Sequence, residues 1–176
     1  MLKILLIIFL LISNSQAAEQ GELDDTSIGY IDINININPL VRISGLDDLD
    51  FGEWSGHGDM IEYDTLCIYS NDTENNASYG ITPTIEGGRN SFEVRNGNRY
   101  IPFNLYWNNS DLGINGQEII MHYNTRLSNL TNFNNEYDDC NNQDNASIII
   151  EFLENNLSSA SVDNYNATLI LTLSMD

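Results

Sequence analysis

The segment at residues 29–39, GYIDINININP, alternates strictly between an isoleucine and a polar residue. Successive side chains of a β-strand point to opposite faces, whereas a helical face repeats every three to four residues. The segment therefore predicts a strand with one apolar face, which needs an apolar surface to cover it. The alternating positions are Ile31, Ile33, Ile35 and Ile37 on one face and Asp32, Asn34, Asn36 and Asn38 on the other.

Strand-like patterns continue through the rest of the chain. Their ranges are 40–45, 49–54, 65–71, 79–88, 91–108, 118–125, 146–154 and 165–175. Clusters rich in Asn, Asp, Gly and Ser separate them, and no segment keeps a helical period over three turns, although 153–162 could form a short helical turn. Short alternating strands between turn signals indicate an all-β sandwich or barrel.

Two of these runs carry finer expectations. Pro83 lies inside the 79–88 run, and because proline cannot donate to a ladder, it predicts an edge strand or a bulge. The strongly apolar run ASIIIEFLE at 146–154 predicts a central strand.

The first 17 residues predict a secretory signal peptide. Lys3 precedes the apolar run ILLIIFLLI, and small residues follow at the expected cleavage site, after Ala17 or Ala18. No later apolar run reaches roughly 18 residues, so we expect no membrane insertion and a mature protein that is soluble or assembled outside the cytoplasm. Residues 18–28 are predicted to be a flexible leader, and residues 29–176 one sandwich domain that includes the strand at 29–38.

The charge of the chain excludes some classes of partner. Six basic and 26 acidic residues give a formal net charge of −20. Removing Lys3 with the signal peptide leaves five basic residues against the same 26 acidic ones, a charge of −21. Such a charge opposes binding to nucleic acids and to anionic membranes.

The two cysteines predict one disulfide. Cys67 and Cys140 both lie after the signal peptide, and an even cysteine count in an exported chain indicates pairing. Two free buried thiols are the alternative.

Residues with catalytic or metal-binding chemistry are sparse. His57 lies in a glycine-rich loop, His122 lies on a predicted strand, and no nucleophile motif accompanies either. Acidic clusters at 47–50 and 138–139 do not have the spacing of a calcium loop. We therefore expect no enzyme, no cofactor and no metal, and Trp54 and Trp107 are candidates for a sugar-stacking surface or for the core.

Four stretches in order resemble the archaic, or alternative, chaperone–usher pilins and the related spore-coat-U-like secreted domains. GYIDINININ resembles the donor strand of that family, and ISGLDDLDFGEW resembles the segment after it. YGITPTIEGG followed by YIPFNLYWNN resembles the central strands, and DNYNATLILTLSM resembles the last strand. The family often carries a cysteine just after the donor strand, where this chain has Pro39-Leu40-Val41.

The resemblance implies an immunoglobulin-like β-sandwich with an N-terminal donor-type strand and a hydrophobic groove beside its last strand. It implies Ile31, Ile33, Ile35 and Ile37 as the donor residues and Leu169, Leu171 and Leu173 as the acceptor edge. The implied partners are other pilus subunits or further copies of this chain, a periplasmic chaperone and an outer-membrane usher. The implied function is a structural subunit of an adhesion or biofilm fibre, exported through the periplasm to the cell surface or beyond.

Two alternatives stay open at the level of sequence. The isoleucine segment could instead be the first strand of a complete sandwich, covered by its own chain. The protein could then be a monomeric periplasmic or extracellular binding module, with glycans as possible ligands.

Overall fold

The computed structural model describes residues 19–74, 77–87 and 90–176. The predicted signal peptide lies outside the described residues. The strands are β1 (Val41–Ser44), β2 (Met60–Ser70), β3 (Tyr79–Ile85), β4 (Glu93–Asn96), β5 (Arg99–Pro102), β6 (Asn104–Asn108), β7 (Ile119–Ile120), β8 (Leu127–Leu130), β9 (Ala146–Phe152) and β10 (Leu169–Met175). A short helix, α1 (Glu154–Ser159), and a 3-10 turn at Cys140–Asn142 complete the regular structure of these residues.

Two antiparallel sheets form the body of the fold at residues 38–176. The first sheet has the strand order β1-β2-β9-β6-β7, and the second has the order β10-β3-β8. Strands β4 and β5 form a separate hairpin. The sheets enclose one apolar core that includes Leu66, Ile68, Tyr79, Ile81, Leu105, Trp107, Ile148 and Phe152. The fold is the all-β sandwich that the alternating pattern predicts.

Several strand predictions agree with the structure. β9 lies between β2 and β6, so the apolar run at 146–154 contains a central strand. The run at 91–108 divides into β4, β5 and β6, with the first turn at Asn96-Gly97-Asn98, where Gly97 has a φ of +58°. The run at 118–125 contains only the two-residue strand β7.

Pro83 lies in the middle strand of its sheet, but at a position where that strand is paired on one side only. β3 pairs with β10 on one side and with β8 on the other. The pairing with β8 covers Tyr79 and Ile81 and shifts register between them, so β8 does not reach Pro83. A missing N–H at position 83 therefore costs no ladder hydrogen bond, and the Pro83 carbonyl accepts the Asn124 N–H at 2.8 Å.

The run at 49–54 forms no strand in the structure. The Asp50 carboxylate accepts the Gly52 N–H at 2.9 Å, and Gly52 has a φ of +64°, so the chain turns there. Phe51 still reaches the core, where its ring meets Phe152 edge-on with centroids 4.8 Å apart.

One disulfide ties the first sheet to the long connection before β9. Cys67 on β2 and Cys140 in the 3-10 turn are both 1% exposed, with an S–S distance of 2.05 Å, and they lie 73 positions apart in the sequence. This is the pair expected from the cysteine count. The bond anchors a segment that has little regular structure of its own.

The described part of the leader is a separate unit. Glu19 and Tyr30 exchange two backbone hydrogen bonds of 3.1 and 3.0 Å in an isolated antiparallel bridge. No strand is assigned over 31–39 among the described residues. In the part of the chain that the structure describes, no helix has the length and apolarity needed to cross a membrane.

Removing the disulfide should destabilise the sandwich. In the chain-entropy model a closed loop of this size stabilises by roughly 4 kcal/mol. We therefore expect a reductant to lower the free energy of unfolding by about that amount in urea denaturation. The C67S/C140S double variant should match the reduced protein and show no response to reductant; equal stability of the oxidised and reduced proteins would contradict this account.

Candidate functional site

The outer edge of β10 is the first element of the candidate site. β10 pairs with β3 on one side, and within the described residues no strand pairs with its other side. The Glu86 N–H donates to the Thr168 carbonyl at 2.9 Å, and the Asp176 N–H donates to the Ser78 carbonyl at 2.9 Å. Antiparallel ladders alternate, so the backbone groups of the odd-numbered residues between them point to the free side. These residues are Leu169, Leu171, Leu173 and Met175, of which Met175 already has its carbonyl bonded by Arg126.

The same odd-numbered side chains face the core but are only partly covered. On β3, the inward residues opposite them are buried: Tyr79 and Ile81 are 0% exposed, and Ile85 is 5% exposed. On β10, the four inward residues pack against the core and are all intermediate in exposure. The difference between adjacent rows of one sheet shows that the core is incompletely covered along β10.

Strand β1 contributes the other side of this site. The Asn71 N–H donates to the Leu40 carbonyl at 3.2 Å, which continues the β1–β2 ladder by one residue. By the same alternation, Val41 and Ile43 direct their backbone groups away from β2. Both side chains are partly buried, and Ile43 packs against the core.

The two edges belong to different sheets and lie next to each other. Ser70, which pairs with Val41, has its hydroxyl 3.5 Å from the Met175 sulfur, so the start of β1 lies near the end of β10. We call the surface formed by these two neighbouring edges the acceptor cleft, after the role that is proposed for it below. Its walls are Val41, Ile43, Leu169, Leu171, Leu173 and Met175.

An arginine holds the end of β10 in place. Arg126 donates to the Ser174 and Met175 carbonyls at 2.9 and 3.2 Å and pairs with the Asp176 carboxylate at 2.8 Å. Gly80 makes room for it, because a Cβ at that position would lie 2.4 Å from the Arg126 Nε. The guanidinium therefore fixes the end of β10 across the outer face of its own sheet.

Asp176 also accepts hydrogen bonds from the Ser78 hydroxyl at 2.8 Å and from the Asn129 N–H at 2.9 Å. Desolvation opposes ionisation of this carboxyl. The two hydrogen bonds and the Arg126 charge outweigh it, and together they lower the pKa of Asp176 below its usual value.

The predicted donor residues are strongly exposed. Ile31, Ile33, Ile35 and Ile37 are 78%, 88%, 87% and 75% exposed. A row of four exposed isoleucines is an apolar surface that soluble proteins normally cover. The structure thus describes an uncovered apolar row on residues 31–37 and, separately, an incompletely covered core in the sandwich.

The other candidate residues do not form a second site. Trp107 is 0% exposed, and Trp54 is half-buried, with its indole N–H donating to the Gly58 carbonyl at 2.9 Å. His57 lies 3.4 Å from the Ser55 hydroxyl in an exposed loop, and His122 lies beyond β7. Among the described residues, no group of three or more His, Cys, Asp or Glu is arranged to hold a metal ion.

A polar depression of about 330 Å³ lies among the loops near the disulfide. Several of the polar residues that line it form hydrogen bonds between these loops. Asn132 donates to the Asn109 and Asn145 carbonyls at 3.0 and 2.7 Å, and the Asn145 side chain bonds both backbone groups of Ile68 at 2.8 Å. Its lining residues are Ser110, Asp111, Asn132, Phe133, Asn134, Gln143, Asp144 and Asn145.

The alternation in the sequence predicted that Leu169, Leu171 and Leu173 share one face of a strand, but it did not predict the residues that lie beside them. Val41 and Ile43 form the second edge, and Met175 extends the first. Their alternation was visible in the sequence, but the neighbouring position of β1 and β10 depends on the three-dimensional arrangement of the two sheets. Arg126 gave no local signal, because its partners are about 48 residues away.

Known proteins resemble this chain in fold only. No family model and no curated protein sequence matches it. A chain from a solved chaperone–tip adhesin complex of CFA/I fimbriae biogenesis is similar in structure, with a TM-score of 0.57 and 11% sequence identity. The match covers 77% of this chain and 41% of that one, so this chain corresponds to less than half of its neighbour. The sandwich therefore has a fold that also occurs in the fimbrial assembly complex.

The lowered pKa of Asp176 makes a prediction about acid stability. A depressed carboxyl pKa adds stability above the pKa of the unfolded state, about 3.9, and that stability is lost as pH falls through the lower folded value. We expect D176N to be less stable than the wild type at pH 7 and to lose less stability on acidification below pH 4. Urea denaturation at pH 7, 4 and 3 measures this, and parallel curves for the two proteins would contradict it.

Proposed function

We propose that this protein is a pilus-related structural subunit whose acceptor cleft receives residues 29–38 of a second copy. The strand would enter beside β10 by β-strand addition and complete the core. The observation that carries the proposal is the contrast between the buried inward row of β3 and the half-covered inward row of β10. A periplasmic chaperone would cover the cleft before assembly, and an outer-membrane usher would export the subunits.

The proposed donor and acceptor match in length and in period. β10 spans seven residues, and residues 31–37 span seven residues with isoleucine at each odd position. At about 3.3 Å per residue, each is roughly 23 Å long in extended form. An incoming strand could therefore pair along the whole of β10 and direct every isoleucine to the same face.

The free energy gained by burying the isoleucine side chains is large enough to drive pairing of the donor segment with β10. Burying a large aliphatic side chain stabilises by about 1.5–3 kcal/mol, so four isoleucines would contribute roughly 6–12 kcal/mol before ordering costs. Backbone hydrogen bonds to Leu169, Leu171 and Leu173 would add to this. Ordering residues 29–38 opposes it.

The charge distribution favours this segment over the rest of the chain as the inserted strand. The chain has a large net negative charge. Four of its arginines are already paired with carboxylates of the same chain: Arg42, Arg95, Arg99 and Arg126. Two copies therefore repel each other. Residues 31–38 carry a single carboxylate, Asp32, and their other polar residues are neutral asparagines. A nearly neutral strand reduces the electrostatic cost of bringing two acidic subunits together.

The geometry of such pairing leads to a fibre. A donor segment and an acceptor cleft are different surfaces, so the contact is heterologous and each added copy leaves a new cleft or a new donor free. Head-to-tail addition continues unless the rotation between copies closes a ring. A surface fibre for adhesion or biofilm formation is the role that this geometry supports.

A pair of complementary variants tests the proposal. The chain from residue 18 onward should form head-to-tail multimers, which light scattering after size exclusion measures. I35D should lack a working donor and L171D a working acceptor, because each places a carboxylate in the apolar contact. Each variant alone should stay monomeric, and an equimolar mixture should form dimers that do not grow further.

The matched control is N34S, which changes the polar face of the same segment and should assemble like the wild type. A synthetic peptide of residues 29–38 should bind to I35D, and the same peptide with the I35D change should not. Circular dichroism checks that L171D is folded. Multimers of I35D, or no binding of the wild-type peptide, would overturn the proposal.

A further inference from the structure

Asn71 holds the chain between the leader and β1. It follows β2 directly, and its amide oxygen accepts the Leu40 N–H at 2.6 Å. Its amide nitrogen donates to the Asn38 carbonyl at 3.2 Å, and its own backbone N–H donates to the Leu40 carbonyl at 3.2 Å. Three hydrogen bonds from one residue therefore fix the backbone on both sides of Pro39.

Pro39 adds stiffness to the same three residues. Its ring fixes φ near −65°, and it has no N–H to bond elsewhere. It also disfavours helical backbone at Asn38, which pushes that residue toward extended conformations. The Asn71 amide then bonds the carbonyl before Pro39 and the N–H after it, as a neighbouring peptide group would.

The position of β1 sets what a strand would need in order to enter the cleft of its own chain. Val41 lies at the Met175 end of the cleft, since its partner Ser70 contacts the Met175 sulfur. The four isoleucines of the donor segment lie within residues 31–37, which are separated from Val41 by the three residues 38–40. To lie in the cleft of its own chain, it would have to reverse direction within residues 38–40 and run beside β1.

That reversal conflicts with the hydrogen bonds of Asn71. The hydrogen bonds are formed while the isoleucines of residues 31–37 are strongly exposed, and a reversal at Asn38-Pro39 would change the backbone torsions that place the Asn38 carbonyl against the Asn71 amide. A strand returning in this way would also run parallel to β10, because β10 ends where β1 begins. Parallel pairing is slightly less stable per residue than antiparallel pairing. A donor segment from a second copy is limited neither by the hydrogen bonds of this Asn71 nor to the parallel direction.

We propose that Asn71 is a specificity determinant that keeps the donor segment out of its own cleft and thereby commits it to a second copy. This inference rests on the proposed strand addition. Asn71 acts on the entry path of the donor and forms no part of the cleft walls. Asn71 would therefore change the fraction of donor segments that insert into their own chain relative to the fraction that insert into a second copy.

The test compares the wild type with N71A, which removes both side-chain hydrogen bonds and keeps the backbone N–H. Two hydrogen bonds of ordinary strength correspond to a shift of roughly tenfold or more between the two outcomes. We expect N71A to assemble about tenfold more slowly. In dilute monomers, hydrogen exchange at residues 31–37 should be slower in N71A than in the wild type, independently of protein concentration.

The control N155A removes an exposed asparagine side chain from α1 and should behave like the wild type in both measurements. Equal assembly rates and equal exchange for N71A and the wild type would overturn the inference. Faster hydrogen exchange at residues 31–37 together with slower assembly in N71A would also overturn the inference. A loss of backbone order around residues 38–40 would then explain both results without self-insertion. Failure of the proposed function is distinguishable, because the wild-type peptide of residues 29–38 would then not bind to I35D at all.

Discussion

The free edge of β10 is the feature on which the rest of this structure depends. The strand is bonded to β3 on one side and directs the backbone groups of Leu169, Leu171 and Leu173 to the other. The side chains of the same residues complete the core only in part. Edge strands of this kind are prone to pair with another chain, and natural proteins usually protect them. Here the edge carries inward-facing leucines along its full length.

The surrounding structure keeps that edge ordered while leaving it accessible. Arg126 and Asp176 secure the end of β10 from the outer face of the sheet, where Gly80 leaves space. The disulfide between Cys67 and Cys140 stabilises the region beside β1. Neither device covers the acceptor cleft. Under the proposed function, an edge that is ordered and has no partner strand among the described residues loses little conformational entropy when a strand is added to it.

The sequence predicted the parts of this arrangement that depend on local pattern. The alternating pattern predicted a strand at β10 with the leucines on one face. The isoleucine repeat predicted that residues 31–37 present an apolar row, which an apolar surface would have to cover. Where tertiary contacts decide the structure, predictions from the local sequence were incomplete or wrong. Pro83 predicted an edge strand or a bulge; β3 is a middle strand, but β8 stops short of Pro83, and the β3–β8 register shifts between Tyr79 and Ile81. The run at 49–54 alternates like a strand, yet Asp50 and Gly52 form a turn.

The local sequence pattern could not predict that β1 lies beside β10, or that Asn71 hydrogen-bonds to the chain before β1. Val41 and Ile43 become part of the site only because two sheets bring β1 next to β10. Asn71 lies in an ordinary turn sequence, and its partners at Asn38 and Leu40 are more than 30 residues away. β8 was missed because its four residues lie in an asparagine-rich stretch whose composition favours turns.

Residue-specific amide exchange along β10 tests the central claim most directly. In monomers, the N–H groups of Leu171 and Leu173 should exchange faster than those of Ile170, Thr172 and Ser174, which face β3. In assembled protein, or with bound peptide of residues 29–38, the exchange at Leu171 and Leu173 should slow to match its neighbours. Unchanged exchange at these two leucines in the assembled protein would contradict the account.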